Sequence, residues 1–135
     1  MDVGRLRKVK VFAEMSDSDL RRIATFATEE SAPEGTTLVR EGDYSTELIA
    51  LEDGTAEVRH DGEVIATLGP GDVFGETGVL ERGLRNASVV STTPVRVFKL
   101  TNWEIKRLGP ETVQRLRDLI SDRRADAVRS ETPNA

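Results

Sequence analysis

Two side chains of opposite charge stand nine positions apart in Phe74–Val90, which reads FGETGVLERGLRNASVV. Glu76, when ionised, only accepts hydrogen bonds; it would repel an anion and asks for a donor such as a sugar hydroxyl. Arg85 carries a planar fork of donors that matches phosphate oxygens. Gly71, Gly75 and Gly78 strip side chains from the same stretch, so backbone amides can gather into a nest or a short helix start, and both attract anions. Asn86 and Ala87 add amide reach beside the arginine. One ligand with a donor hydroxyl close to an anionic group would satisfy both charges. A plain Glu76–Arg85 salt bridge would satisfy them too, and the residues alone leave both readings open.

These residues need a frame. Ser16 can cap the free amides of a helix start, and Asp17 and Asp19 suit the positive end of its dipole. Leu20, Ile23, Ala24 and Ala27 share one face, which predicts a helix from Asp17 to Thr28, with Val9 to Ala13 as a short helical lead-in. From Pro33 to Leu100 the texture changes to β-prone runs cut by glycine: 36–41, 46–51, 55–60, 63–68, 86–91 and 94–100. Asp61-Gly62 between two such runs predicts a two-residue hairpin, which would set Val58 opposite Ile65 with both pointing inward. Many short strands at regular spacing predict a sandwich or jelly-roll barrel. Thr101 and Glu104 form a capping box ahead of a helix of about two turns ending at Gly109. Pro110 then opens another helix, with Val113, Leu116, Leu119 and Ile120 on one side. The order is helix, barrel, two helices: a mainly β chain with flanking helices. We expect one domain over 1–130 and a disordered tail over 131–135.

Composition narrows the chemistry. The 135 residues are 37% hydrophobic and 32% charged, which suits one soluble domain with one core. No apolar run approaches the roughly 18 residues needed to span a membrane, and the N-terminus lacks a secretory apolar region. Cysteine is absent, which excludes disulfides, zinc–thiolate sites and iron–sulfur clusters. A cytoplasmic setting is expected. The net charge of -5 argues against nucleic acid, and the basic run Arg5, Arg7, Lys8, Lys10 reads as a solvated helix or arm. There is no nucleophile–base arrangement, so no enzyme is expected. Glu29-Glu30 and Glu52-Asp53 read as solvated loop charge. His60, the single histidine, reads as an exposed hairpin residue. One histidine makes a cupin-type metal enzyme a weak alternative, and no cofactor is expected.

The pattern F-G-E-x-G-x-L, a short gap, then R-N-A-S-V resembles the phosphate-binding cassette of the cyclic nucleotide-binding domain family. The likeness extends to VFAEMSDSDLRRIA, EGTTLVREGD and ATLGPGDVFGE, and so to nearly the whole chain. It implies a β-roll, a jelly-roll double-stranded β-helix, with an N-terminal helical segment and two C-terminal helices. By matching position it implies that Glu76 accepts from the ribose 2′-hydroxyl and that Arg85 holds the exocyclic phosphate oxygens. The amides of Gly75, Thr77 and Ala87, with Asn86, would complete the cradle, and Val58, Ile65 and Leu68 would line the base pocket. Two positions depart from the family pattern. Thr77 replaces a large aliphatic residue, and Asn86 stands where Ala, Ser or Thr is usual; its amide suits a phosphate or a guanine. The resemblance implies a regulatory domain that binds cAMP in preference to cGMP and reports occupancy through its C-terminal helices to an effector protein. It looks like the cAMP receptor β-roll without a helix-turn-helix, so DNA is not an expected partner, and neither is a membrane. The apolar stripe of the last helix would cover the barrel or pair two copies as a homodimer. The alternative is a non-binding β-roll interaction module closed by a structural Glu76–Arg85 bridge.

Overall fold

Capping residues set the helical entry. In the computed structural model, which describes residues 2–44, 46–75 and 84–129 with side chains as far as Asp122, Asp2 caps helix α1 (Val3–Arg7) by accepting from the Gly4 amide. The expected lead-in is a single 3-10 turn, Lys10–Phe12. Ser16 caps helix α2 (Asp17–Phe26), its hydroxyl accepting from the Asp19 amide at 3.1 Å. This helix stops short of the expected Thr28, because Ala27 turns extended and Thr28 opens a strand.

That strand, β1 (Thr28–Ala32), is followed by β2 (Thr37–Val39), β3 (Glu47–Asp53), β4 (Ala56–His60), β5 (Glu63–Leu68), β6 (Val73–Phe74), β7 (Ser88–Ser91) and β8 (Val95–Thr101). They form two antiparallel four-stranded sheets, ordered β1-β8-β3-β6 and β2-β7-β4-β5. All six β-prone runs become strands. The other two, β1 and β6, lie at the edges of the first sheet. β1 reads TEESA and is largely exposed, so it carries no apolar alternation; its strand form comes from backbone pairing with β8.

Through β3 and β8 the first sheet is buried on both faces, and successive residues along these strands turn to opposite sides. Leu48, Ala50, Phe98 and Leu100 pack against the helical layer of Leu6, Val9, Phe12, Leu20, Ile23, Leu116 and Ile120. Ile49, Leu51, Val95 and Val97 turn the other way and meet Val39, Ala56, Val58, Ala87 and Val89 of the second sheet. The result is three layers, helices, sheet and sheet: the mainly antiparallel β fold with flanking helices that the sequence predicts.

The β4–β5 hairpin turns at Asp61 and Gly62, which take φ of 50° and 81° as a two-residue turn of this kind demands. The predicted register fails one step further in. His60 faces Glu63 and Arg59 faces Val64, but a bulge then shifts the ladder, so Val58 faces Ala66 and not Ile65. At the other end Thr101 caps helix α3 (Asn102–Lys106) with both bonds of the capping box present. After Gly109, at φ 95°, helix α4 (Pro110–Arg129) begins. Its apolar residues Leu116 and Ile120 are fully buried against the helical layer. The expected tail over 131–135 lies outside the described residues.

Ion pairs tie the layers together. Arg5 chelates Glu52 with Nε and Nη2, both at 2.7 Å, and also reaches Glu29. Arg7 pairs with Asp17, and Lys10 with Asp72 at 2.6 Å. The N-terminal basic run thus lies on α1 and the turn after it, with Lys8 and Lys10 exposed as a solvated helix would have them, but Arg5, Arg7 and Lys10 also hold ion pairs within the chain, and Glu29 and Glu52 sit in strands rather than loops. Asp19 goes beyond a dipole partner. It is 1% exposed and accepts from Arg115 Nε at 2.6 Å, Arg115 Nη2 at 2.7 Å and Thr112 Oγ1 at 2.8 Å, locking α2 to α4. Among the described residues no helix is long and apolar enough to cross a membrane.

Candidate functional site

Arg85 sits where the chain re-enters the second sheet. Its backbone is held on both sides: its amide donates to the Asp43 carbonyl at 2.7 Å, and its carbonyl accepts from the Gly42 amide at 2.9 Å. One residue earlier, Leu84 bridges Tyr44. Two residues after Asn86, the Ser88 hydroxyl accepts from the Glu41 amide at 2.8 Å. The 84–88 segment is therefore fastened to the 41–44 turn before β7 begins.

The side chain is turned inward. Arg85 is only 4% exposed, and Nη2 donates to the Glu47 carbonyl at 2.8 Å. Nη1 is buried and has no hydrogen-bond partner among the described residues. Burial pushes the guanidinium pKa down, and the Glu47 carboxylate partly opposes this. An arginine stays charged under such a shift, so the site holds a desolvated cation with an open donor. That is costly in the free protein and complementary to an anion.

Gly75 makes the space. A Cβ there would lie 2.4 Å from the Glu47 carbonyl and 2.5 Å from Arg85 Nη1, and its φ of 79° disfavours any side chain. Glycine is required here by conformation and by contact. Gly71 does different work. Its amide donates to Leu51 and its carbonyl accepts from Lys10, so it joins the loop to the N-terminal helical segment and has no amide to offer an anion.

The other candidates divide. Glu76 and Thr77 lie outside the described residues, and so does Gly78. Asn86 is exposed, while its neighbour Ala87 is buried in the core between the sheets. Val58 is buried in that core and Leu68 packs at its margin, whereas Ile65, displaced by the bulge, is 36% exposed. Sequence reasoning missed the contacts of His60. It is exposed beside the hairpin turn, as expected, but its Nδ1 also lies 2.9 Å from the Asn86 carbonyl and 2.6 Å from Glu41 Oε1. No local pattern announces this contact, because it depends on β4 lying beside β7.

A buried, half-satisfied arginine beside an obligatory glycine, on a two-sheet roll with helices at one face, is what a small anionic ligand would need. The family model for the cyclic nucleotide-binding domain matches residues 29–110. The chain belongs to this family. It is 33% identical over 110 residues to the cAMP-dependent protein kinase regulatory subunit of Yarrowia lipolytica, covering 79% of this chain and 29% of that one. The chain spans under a third of the length of such curated relatives. Among solved structures, it is similar to the regulatory domain of Toxoplasma gondii PKA crystallised with cAMP, with TM-score 0.72, 27% identity, and coverage of 83% of this chain and 44% of that one. It is also similar to a Geobacter metallireducens protein named for cyclic nucleotide binding, with TM-score 0.80, 26% identity, and coverage of 96% and 97%.

Proposed function

We propose that this chain is a cyclic nucleotide receptor domain that prefers cAMP to cGMP and passes its occupancy through α3 and α4 to an effector protein. The observation that carries this is Arg85: a buried guanidinium with one nitrogen committed to Glu47 and the other, beside Gly75, without a partner among the described residues. In this reading that second nitrogen takes the exocyclic oxygens of the cyclic phosphate, helped by the amides of Gly75, Thr77 and Ala87 and by Asn86. Glu76 accepts from the ribose hydroxyl, where a carboxylate suits a donor and would repel the phosphate itself. Val58 and Leu68, on the face between the sheets, line the base side, and Ile65, turned out by the bulge, does not join them. The role is that of a binding module in the cytoplasm, with the ligand as its small-molecule partner and no catalytic step.

A route to the helices supports the regulatory half. Arg85 grips the Glu47 carbonyl; Glu47 pairs with Thr101, the cap of α3; and the Asn102 amide donates to the Thr46 carbonyl at 2.9 Å. A ligand that alters how Arg85 holds β3 acts one residue from the start of α3. Ligand can shift the helices only as far as it contacts their alternative positions differently. Calorimetric titration with cAMP and cGMP tests the reading. Saturable binding, tighter for cAMP, is expected. No heat and no thermal shift with either nucleotide would overturn it in favour of a non-binding interaction module.

A further inference from the structure

We propose that His60 is a positioning residue of the anion cradle: through the Asn86 carbonyl it tunes the Ala87 amide, and its protonation tightens ligand binding. The inference rests on the cyclic nucleotide reading of the Arg85 site and adds a regulator to it.

Hydrogen bonding fixes the tautomer. The Asn86 carbonyl only accepts, so the His60 Nδ1 that lies 2.9 Å from it carries the proton, shared with Glu41 Oε1 at 2.6 Å. The second proton must then enter at Nε2, which faces Asp61 Oδ2 at 3.4 Å. Protonation adds charge without breaking the bond to Asn86. The Asn86 carbonyl and the Ala87 amide are two ends of one peptide group. A stronger donor on the oxygen polarises that group and strengthens the N–H at its far end. That N–H belongs to the residue next but one to Arg85.

The neighbourhood is built to pass this on. Glu41, which holds His60, also donates its amide to Ser88, and the adjacent Gly42 holds the Arg85 carbonyl. His60, Glu41 and the 85–88 segment form one hydrogen-bonded body. The charged groups around the imidazole are Glu41 from the turn after β2, Asp61 of the hairpin, and Glu63 directly across the ladder in β5. The adjacent cation Arg59 is held by Glu57 at 2.8 Å. The Asn86 carbonyl first, then Glu41 and Asp61, hold the imidazole pKa above its ordinary value of 6.5. Ligand atoms of Glu41, His60 and Asp61 lie within 4.8 Å of one another, and in this tautomer Nε2, beside Asp61, is the nitrogen that takes the second proton.

His60 is the sole histidine, so its ring resonances report without overlap from another imidazole. The test is an NMR titration of the His60 ring with and without saturating cAMP, beside calorimetry at about pH 5.5 and about pH 8.5. A cyclic phosphodiester keeps one negative charge throughout that range. The expected result is a ligand-induced rise in the His60 pKa of about half a unit and, by linkage, about threefold tighter binding at the acid limit. His60→Gln should keep a donor for Asn86 and bind at the wild-type basic-limit affinity with a flat profile. Equal wild-type affinity at both pH values, with an unmoved His60 titration, would overturn the inference and leave the receptor reading standing. Absence of binding at either pH would overturn both.

Discussion

Arg85 is the residue on which the account turns, and its burial decides how it behaves. A surface arginine would be screened, and its loss would matter little. A buried one, with Nη2 on Glu47 and Nη1 open among the described residues, makes charge-assisted bonds in a site shielded from water. Arg85→Ala is therefore expected to weaken cAMP binding by roughly 2 kcal/mol or more, about thirtyfold, by calorimetry. Gly75→Ala places a methyl 2.5 Å from Nη1 and 2.4 Å from the Glu47 carbonyl at a left-handed φ. It should lower stability by roughly 1–3 kcal/mol in urea unfolding and displace the guanidinium, costing affinity as well. Both residues were legible from type and spacing, since glycine and arginine have few uses in such a bend. Their burial was not legible, because it is conferred by β3 and the 41–44 turn. The contact of His60 was illegible: the ring meets Asn86 across 26 residues through a pairing of strands that are not neighbours in sequence.

At the scale of elements, caps and one ion pair place the helices. The Thr101–Glu104 box was plain in the sequence because its chemistry is local. Thr101→Ala should cost about 1 kcal/mol of unfolding free energy. The Asp19–Arg115 lock was not plain. The helix-start pattern explained Asp19 fully without calling on α4, almost a hundred residues away. Arg115, with its bonds and charge, holds the Asp19 carboxyl at about 2, below its ordinary 3.8. The folded pKa is the lower one, so this stabilisation is present above about pH 4 and fades as pH falls through 2. Asp19→Asn should destabilise by roughly 2 kcal/mol near neutral pH, less than a wholly buried pair because Arg115 is half exposed. The gap to wild type should narrow below pH 4 in urea unfolding across pH, and a gap constant to pH 2 would show that the lock is not ionic. The bulge in β4–β5 is the element-scale failure of sequence reading. Turn chemistry fixed the first two pairs, and packing of Val58 between the sheets fixed the rest.

At the scale of the molecule, three layers put the helices and the second sheet on opposite faces of one shared sheet. The sequence pointed to a sandwich or jelly-roll barrel from its short, regularly spaced strands, and the unbroken apolar run Leu48–Leu51 of β3 is what a strand buried on both faces requires. The edge strands β1 and β6 escaped, one polar and one two residues long. Transmission across the sheet predicts a visible change in α3. Trp103, the only tryptophan, stands there 76% exposed, one residue past the Asn102 amide that bonds Thr46. Saturating cAMP should shift its emission on selective excitation, and Arg85→Ala should abolish the shift at the same nucleotide concentration. The most direct test of the whole account remains the titration of wild-type protein and Arg85→Ala with cAMP in parallel. The account predicts saturable heat for the first and a loss of about thirtyfold or more in affinity for the second. Equal affinities, or no heat from the wild type, would contradict it.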